Sequence, residues 1–341
     1  MKRCLELAAL GLGKTYPNPM VGSVIVHNGE IIGEGWHHKS GEAHAEVNAV
    51  ASVKNKSLLK DSTIYISLEP CAHYGKTPPC AELIIKHQIP KIVVGCVDSF
   101  SEVSGKGIEM MQKAGASVKV AVLEENCKVS HKRFFTFHEK KRPYIILKWA
   151  ETQDGFIAPL EQESGKPFWI TSPESKKLVQ KWRTEEASIL VGTNTAEKDN
   201  PALTARLWEG SQPLRLLIDK NLRLKDSLKV FDDSAKTLVF TEKSKDNLGN
   251  TEYQNIDFSN LHQDLMNELY KRNIHSVIIE GGRETLQSFI DANLWDEARV
   301  FVGEINLEKG ISAPIFDVKQ KSEERISTDV LRWYHNRSLV S

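Results

Sequence analysis

The sequence predicts two successive α/β domains, and three observations lead there. The chain has 341 residues, too long for one ordinary core and suited to two of ordinary size. Both halves alternate short β-branched runs with helical stretches, which argues for strands alternating with helices in each. Between the halves, the basic stretch from His138 to Arg142 runs into Pro143. Proline has no N–H and disfavours helical geometry in the residue before it. The expected domains are residues 1–140 and 141–341.

In the first half, Leu5, Leu7, Ala8 and Leu12 give an opening helix its apolar side, and Gly11 and Gly13 close it. This helix starts at Met1 with no capping residue ahead of it. The turn Pro17-Asn18-Pro19 leads to a strand over 21–26, the hairpin signal Asn28-Gly29 and a partner strand over 30–35. A helix follows over 44–53. Strands at 63–67, 92–95 and 117–120 then alternate with helices at 79–87 and 107–114, and a single helix over 124–137 bridges to the basic stretch. In the second half, strands are expected at 144–150, 188–191, 214–218, 237–240, 276–280 and 298–302. Helices are expected at 173–184, 261–271 and 283–292, and the polar stretch 241–256 reads as a surface excursion. There is no internal repeat and no low-complexity tract.

Composition narrows the functional classes. Hydrophobic residues at 40% and charged residues at 26% are ordinary for a globular chain. Lys+Arg and Asp+Glu both total 45, for zero formal net charge, so the basic excess or stripe of a nucleic-acid binder is missing. No signal peptide or membrane-spanning apolar run occurs, and a cytoplasmic location is expected. The five cysteines, Cys4, Cys71, Cys80, Cys96 and Cys127, suggest no disulfide framework. In a reducing compartment, clustered Cys and His point to metal or catalysis.

Such a cluster is present. His44-Ala45-Glu46 is followed by Pro70-Cys71 and later by Cys80. H-x-E with a later P-C and a second Cys resembles the signature of zinc-dependent nucleobase deaminases. One His and two thiolates hold zinc tetrahedrally and leave a fourth position for water, whose pKa the metal lowers. Glu46, two residues from His44 near a helix start, faces that water as proton shuttle rather than ligand. Cys71 and Cys80 are both expected where a helix begins, where the dipole favours thiolate. Eight residues separate the cysteines here, from Ala72 to Pro79, where ordinary cytidine and adenosine deaminases have two. That loop is a natural place for substrate contacts. Lys76 within it is a candidate phosphate contact or a solvated loop lysine, and His73 reads as a wall of the site.

Three stretches resemble one family closely. They run from Thr15 to Gly22, from Gly41 to Glu46 and from Leu68 to Cys80, and the long cysteine loop is the most specific of them. The family is the bifunctional riboflavin-biosynthesis deaminase/reductase. In the second half, the segments around Leu147-Lys148-Trp149-Ala150, Trp169-Ile170-Thr171-Ser172, Asp199 to Thr204 and Glu280-Gly281-Gly282 also match it. The resemblance implies a cytidine-deaminase-like α/β/α sandwich and a dihydrofolate-reductase-like α/β domain. It implies one zinc per chain and NADPH as cofactors. The implied substrate is a pyrimidine ribosyl phosphate, 2,5-diamino-6-ribosylamino-4(3H)-pyrimidinone 5′-phosphate. It is deaminated and then reduced to 5-amino-6-ribitylamino-uracil 5′-phosphate.

The resemblance also implies residue roles. Asn18 and Lys76 are expected at the first substrate. Trp169, Thr195 and Asp199 are expected at NADPH, together with Gly282, Arg283, Glu284, Thr285, Leu286, Gln287 and Ser288. Arg183, Leu203, Arg206 and Glu280 are expected at the second substrate. Arg forks suit phosphate oxygens, and a Gly-Gly turn before a helix start suits a pyrophosphate, although many such turns serve packing alone. Lys148 on the first strand is a candidate for holding the sugar. A homo-oligomer is expected. The chain departs from the family's pattern at Thr152-Gln153, in a long stretch between Gly155 and Trp169 with Lys166-Pro167-Phe168, and over 303–313.

The competing readings are a tRNA adenosine or cytosine deaminase with an appended domain, a zinc-stabilised binding module, and a deaminase carrying an inactive reductase. Neutral charge and the eight-residue spacing oppose the first. Glu46 opposes the second, since a structural zinc site needs no proton shuttle and has four protein ligands.

Overall fold

A computed structural model describes residues 1–74, 78–98, 104–161 and 167–336 of the chain. It divides into two compact units, Met1–Lys141 and Arg142–Ser341.

The first unit runs α1 (Lys2–Ala9), β1 (Gly22–His27), β2 (Glu30–Trp36), α2 (Ala45–Ser52), β3 (Thr63–Leu68), α3 (Cys80–Lys86), β4 (Lys91–Cys96), α4 (Lys106–Lys113), β5 (Ser117–Lys119), α5 (Glu124–Ser130) and α6 (Lys132–Lys140). Its five strands lie in the order β2-β1-β3-β4-β5. Asn28 and Gly29 both take positive φ, at 48° and 83°, which closes the β1–β2 hairpin. Successive residues of β1 face opposite layers. Ile25 joins a core with Ala49 and Val50 of α2, Ile84 of α3 and Met111 of α4, whereas Val24 packs with Cys4 and Leu7 of α1. Helices thus cover both faces of the sheet.

The helix expected over 124–137 is two helices. His131 between them has φ −95° and ψ 10°, outside the α-helical region. Ladder bonds from His131 N–H to Cys127 O and from Phe135 N–H to His131 O, both 3.0 Å, bracket this pucker.

The second unit runs β6 (Tyr144–Glu151), β7 (Phe156–Ala158), α7 (Pro173–Glu185), β8 (Ser188–Gly192), α8 (Thr193–Asp199), β9 (Leu214–Ile218), β10 (Thr237–Thr241), β11 (Thr251–Asn255), α9 (Leu261–Lys271), β12 (Ser276–Gly281), α10 (Arg283–Asp291), β13 (Glu297–Val302), β14 (Ile311–Ser312), β15 (Ser322–Ile326) and β16 (Asp329–His335). The main sheet has the order β11-β10-β9-β8-β12-β6-β13-β16-β15. Its first seven strands are mutually parallel, and β16 and β15 add an antiparallel hairpin at one edge. The stretch 241–256, expected as an excursion, contains β11, which pairs with β10. Along β6, Ile145, Leu147 and Trp149 join the core under α9 and α10, while Ile146 faces Val179 and Trp182 of α7. Strand alternation therefore puts Lys148 on the α7 side.

The two segments that depart from the family pattern meet each other. β7 pairs with β14, Gln153 N–H donates to Ile305 O at 3.0 Å, and Asp154 accepts from the backbone N–H of Glu308 at 2.7 Å.

Arg215 on β9 has no exposed surface. Its guanidinium pairs with Asp232 at 2.7 Å and donates to Thr237 Oγ1 at 2.9 Å and to the carbonyls of Lys229 at 3.1 Å and Ala202 at 3.4 Å. Replacing it by Ala removes the guanidinium donor from the carbonyls of Ala202, Asp232 and Ala235 and from Thr237 Oγ1, while Lys229 O keeps the N–H of Asp232. Arg215→Ala is expected to lose about 3 kcal/mol of second-unit stability, read as a shifted midpoint in urea unfolding. A loss below about 0.5 kcal/mol, the range of ordinary surface changes, would refute this role.

Candidate active sites in the two units

His44 is the residue before α2, in extended conformation, and Glu46 lies in the first turn of α2 with 3% of its surface exposed. The helix is held tightly against β2: a Cβ on Gly35 would stand 2.3 Å from Ala49 N and 2.6 Å from Ala45 O. Asn48 of α2 also donates to Trp36 O at 2.8 Å. Cys71 follows β3 and Pro70, and Cys80 is the first residue of α3.

Cys71 does not begin a helix in the chain, contrary to expectation. Its sulfur nonetheless accepts the N–H of Cys80 at 3.3 Å, so it reaches the start of α3 through space. His44 Nδ1 lies 3.4 Å from Cys80 Sγ and 3.8 Å from Cys71 Sγ, and the three ligand atoms all lie within 4.8 Å of one another. Tetrahedral bonds of about 2.0–2.1 Å to N and about 2.3 Å to S put ligand atoms about 3.6–3.8 Å apart. The three side chains therefore fit zinc and leave the fourth position open.

Hydrogen bonding from Cys80, then from His44, pulls the Cys71 thiol down to about 4 against its burial, while the Cys80 thiol is held well above its usual value. Burial first, then the charge on Cys71, pushes the Glu46 carboxyl up to about 7. A zinc ion would offset the thiolate charge and leave the effect of burial.

Asn18 comes into this site beside a residue that sequence reasoning passed over. His37, 2% exposed, has Nδ1 at 3.1 Å from Ala43 O, and its Nε2 is 3.1 Å from Asn18 Nδ2. A carbonyl only accepts, so Nδ1 carries the proton and Nε2 accepts from the Asn18 amide. Burial lowers the His37 pKa and keeps the ring neutral. Glu69 was also missed. Its buried carboxylate accepts the N–H groups of Gly105 at 2.9 Å and Gly107 at 3.0 Å, which fixes the start of α4 beside Pro70. A lone His after a strand and a Glu two residues before a ligand give no spacing signal. Lys76 lies outside the described residues.

In the second unit a cleft of about 610 Å³ opens across the C-terminal ends of β9, β8, β12 and β6. Lys148, Trp169, Thr195, Asp199 and Glu280 line it, as do Gly282, Arg283, Glu284, Thr285 and Leu286. Gln287, Ser288, Arg183, Leu203 and Arg206 do not. Gln287 bonds the backbone of Ile315, and Ser288 bonds His262 and Thr285 O. Leu203 is a core residue at positive φ. The Arg206 side chain is exposed.

Arg183 is not a free phosphate fork. Its guanidinium grips Glu280 at 2.7 and 3.3 Å and donates to Thr204 O at 3.1 Å. Burial pushes the Glu280 pKa up, but the charges of Arg183 and Lys148 overcome it and hold the carboxylate below its usual value. Burial lowers the pKa of Lys148, opposed by Glu280.

The Gly-Gly turn is also occupied differently from expectation. The N–H of Gly282 donates to Thr195 Oγ1 at 2.8 Å. Arg283, Glu284 and Thr285, whose N–H groups are the first-turn donors that a helix leaves unpaired, line the cleft. With α10 behind them, they fit a pyrophosphate. Asp219, Lys220, Asn221 and Arg223 line the cleft as well and were missed. Their place just past β9, at the end of a parallel strand, is the available signal.

A deaminase-like zinc centre in one unit and a ligand cleft at the strand ends of a second define a two-domain enzyme, and comparison with known proteins agrees. Residues 1–96 match the cytidine and deoxycytidylate deaminase zinc-binding region, and residues 143–323 match the RibD C-terminal domain. The riboflavin biosynthesis protein RibD of Aquifex aeolicus is 39% identical, covering 92% of this chain and 88% of its own length. The Escherichia coli protein of that name is 34% identical, covering 89% and 86%. A crystal structure of the deaminase/reductase from Thermotoga maritima is 36% identical, covers 98% of this chain and 97% of its own, and superposes with a TM-score of 0.90. The chain belongs to the RibD family of bifunctional deaminase/reductases of riboflavin biosynthesis. Among the described residues, no helix is long and apolar enough to cross a membrane.

Metal-replete protein is expected to hold one zinc per chain, and Cys71→Ser should lower that content in elemental analysis. A crystal structure of metal-replete protein with no metal between His44, Cys71 and Cys80 would falsify the assignment.

Proposed function

We propose that the first unit hydrolytically deaminates 2,5-diamino-6-ribosylamino-4(3H)-pyrimidinone 5′-phosphate. The second unit then uses NADPH to reduce the ribosyl group to ribityl, giving 5-amino-6-ribitylamino-uracil 5′-phosphate. The observation that carries this reading is the zinc triad with the buried Glu46 at its side, in a chain whose other unit holds a separate cleft. The solved Thermotoga maritima relative is described with these two activities. The five free thiols suit the cytoplasm.

His44, Cys71 and Cys80 would hold zinc, which would supply Lewis-acid activation of the attacking water near neutral pH. Glu46 takes one proton from the water and delivers it to the amino group that leaves as ammonia, and the remaining hydroxyl proton moves to the adjacent ring nitrogen, so C–NH2 becomes C=O and the Glu46 carboxylate is restored. Asn18, held by His37, keeps its Oδ1 free to accept from the pyrimidine. Lys76 is the phosphate contact. In the second unit NADPH supplies the hydride. Lys148 and Glu280 orient the sugar, and Trp169, Thr195, Asp199 and the start of α10 hold the cofactor, with Gln287 and Ser288 supporting that helix. Arg183 acts by holding Glu280 in place, Leu203 packs in the core behind, and the exposed Arg206, outside the cleft lining, meets the substrate phosphate.

Glu46→Gln keeps the shape and removes the shuttle. Deamination should fall at least about a hundredfold, with zinc retained and reduction of the deaminated intermediate unchanged. Near wild-type deamination by this variant would exclude Glu46 as shuttle. Loss of both activities in a folded protein would instead indicate one shared centre.

Gly282→Val puts a branched side chain 2.9 Å from Thr195 Oγ1 at the start of α10. NADPH affinity should drop at least about tenfold, since misplaced backbone donors lose charge-assisted bonds, while deamination persists. Unchanged NADPH binding in a titration would place the cofactor elsewhere.

A further inference from the structure

We propose that Glu69 is a positioning residue of the deaminase: its buried carboxylate ties Asp98 and the start of α4 together and thereby fixes Cys71, two residues along the chain, at the metal. This rests on the reading of His44, Cys71 and Cys80 as a zinc centre.

Glu69 is the first residue past β3, and its own N–H donates to Cys96 O at 3.0 Å, so its backbone is still tied to β4. From there the side chain reaches beyond the end of β4. It is 4% exposed, and its two oxygens gather backbone N–H groups from two places. Oε2 accepts from Asp98 at 3.3 Å and Gly105 at 2.9 Å, and Oε1 accepts from Gly107 at 3.0 Å and Ile108 at 3.3 Å. Gly107 and Ile108 lie in the first turn of α4, where a helix leaves its N–H groups unpaired and favours negative charge. Gly105, the residue before α4, has no side chain to cap that turn. Glu69 caps it from a different element of the fold.

The same contact presses on the metal ligand. A Cβ on Gly107 would stand 2.0 Å from Pro70 O, so α4 begins directly against the peptide that leads into Cys71. On the other side, Cys71 O accepts the N–H of Ala81 at 3.2 Å and Cys71 Sγ accepts that of Cys80 at 3.3 Å. Cys71 is therefore held from two directions. One is α3, which carries the other thiolate ligand. The other is α4, acting through Pro70 and Glu69. Metal–ligand bonds hold to within about 0.2 Å, so a small displacement of Pro70 is felt at the Cys71 sulfur. Glu69 touches neither the metal nor the substrate, and its effect passes through the ligand it places.

The test uses the metal alone. Full-length protein stripped of metal is titrated with cobalt(II), whose thiolate charge-transfer band reports the bonds from Cys71 and Cys80. Glu69→Gln keeps the shape but offers an oxygen to only one pair of N–H groups and sets its NH2 against the other pair. It is expected to bind cobalt about tenfold more weakly, the low end for losing an outer partner of a metal ligand, with a weaker charge-transfer band. In the zinc-loaded protein it should lower kcat for deamination more than it changes KM. Gly107→Ala pushes on Pro70 with the carboxylate intact and should weaken cobalt in the same way. Ile92→Val, a core change at the opposite end of β4 from Cys96, should lower first-unit stability and leave cobalt binding unchanged. Wild-type cobalt affinity and band in Glu69→Gln and Gly107→Ala would overturn the role. So would an equal loss in Ile92→Val, since the effect would then be one of stability alone. If Glu69→Gln does not fold, Gly107→Ala decides. Wild type that binds cobalt beside unaffected variants removes this inference alone. Wild type that binds no cobalt removes the metal centre with it.

Discussion

Parallel neighbours in a sheet can be joined only by crossovers long enough to hold a helix, and those helices cover both faces. What stays open is the edge where the strands end. In the second unit most of the cleft residues lie at or just past such an end: Lys148 late on β6, Thr195 after β8, Asp219 to Arg223 after β9, Glu280 and Arg283 at the end of β12. The first unit reaches the same result with a mixed sheet. β1 is antiparallel to both β2 and β3, so β2 and β3 run the same way. His37 and His44 after β2, Cys71 after β3, and Asn18 before β1 therefore converge on one edge. Strand direction gathers residues from positions 18 to 80 without any of them being neighbours in the chain.

At these edges two buried carboxylates meet opposite surroundings and acquire opposite properties. Glu46 loses water and faces the Cys71 sulfur, so its carboxyl rises to about 7. That places it where a group can both take and return a proton near neutrality. Glu280 loses water too, but Arg183 and Lys148 outweigh the cost and hold it ionised. It acts as a fixed charge that orients its partners. The same residue type thus serves as shuttle in one unit and as anchor in the other, and the difference lies in the sign of the neighbours.

Much of this was legible in the sequence where the signal is local. The strand 214–218 and the helix 261–271 were read to the residue, and the zinc triad follows from three short motifs with fixed chemistry. Long-range pairing was not legible. Segments 152–168 and 303–313 looked irregular separately because each completes the other, through β7–β14 and the Asp154 carboxylate. β11 was missed because its alternating TEYQN run carries little apolar content at the sheet edge. Arg183 was misread for a related reason. Its chemistry suits phosphate, but only the fold reveals that Glu280, 97 positions away, already holds it.

The Gly281-Gly282 turn shows how one motif carries two demands. A Cβ on Gly281 would stand 2.9 Å from Val191 Cγ1 and 3.1 Å from Thr195 Cγ2, so β12 can lie this close to β8 and α8 only with glycine there. Gly282 then gives its N–H to Thr195 rather than to a ligand. Packing alone therefore accounts for the pair, as for many strand–helix turns. Yet this packing sets where α10 begins and puts its first-turn residues Arg283, Glu284 and Thr285 at the cleft. The glycines act on an anion through the helix they position, and Thr195 is the link, bonded to the turn on one side and facing the cleft on the other. A phosphate cradle and a packing device are here the same few atoms, read at different distances from the turn.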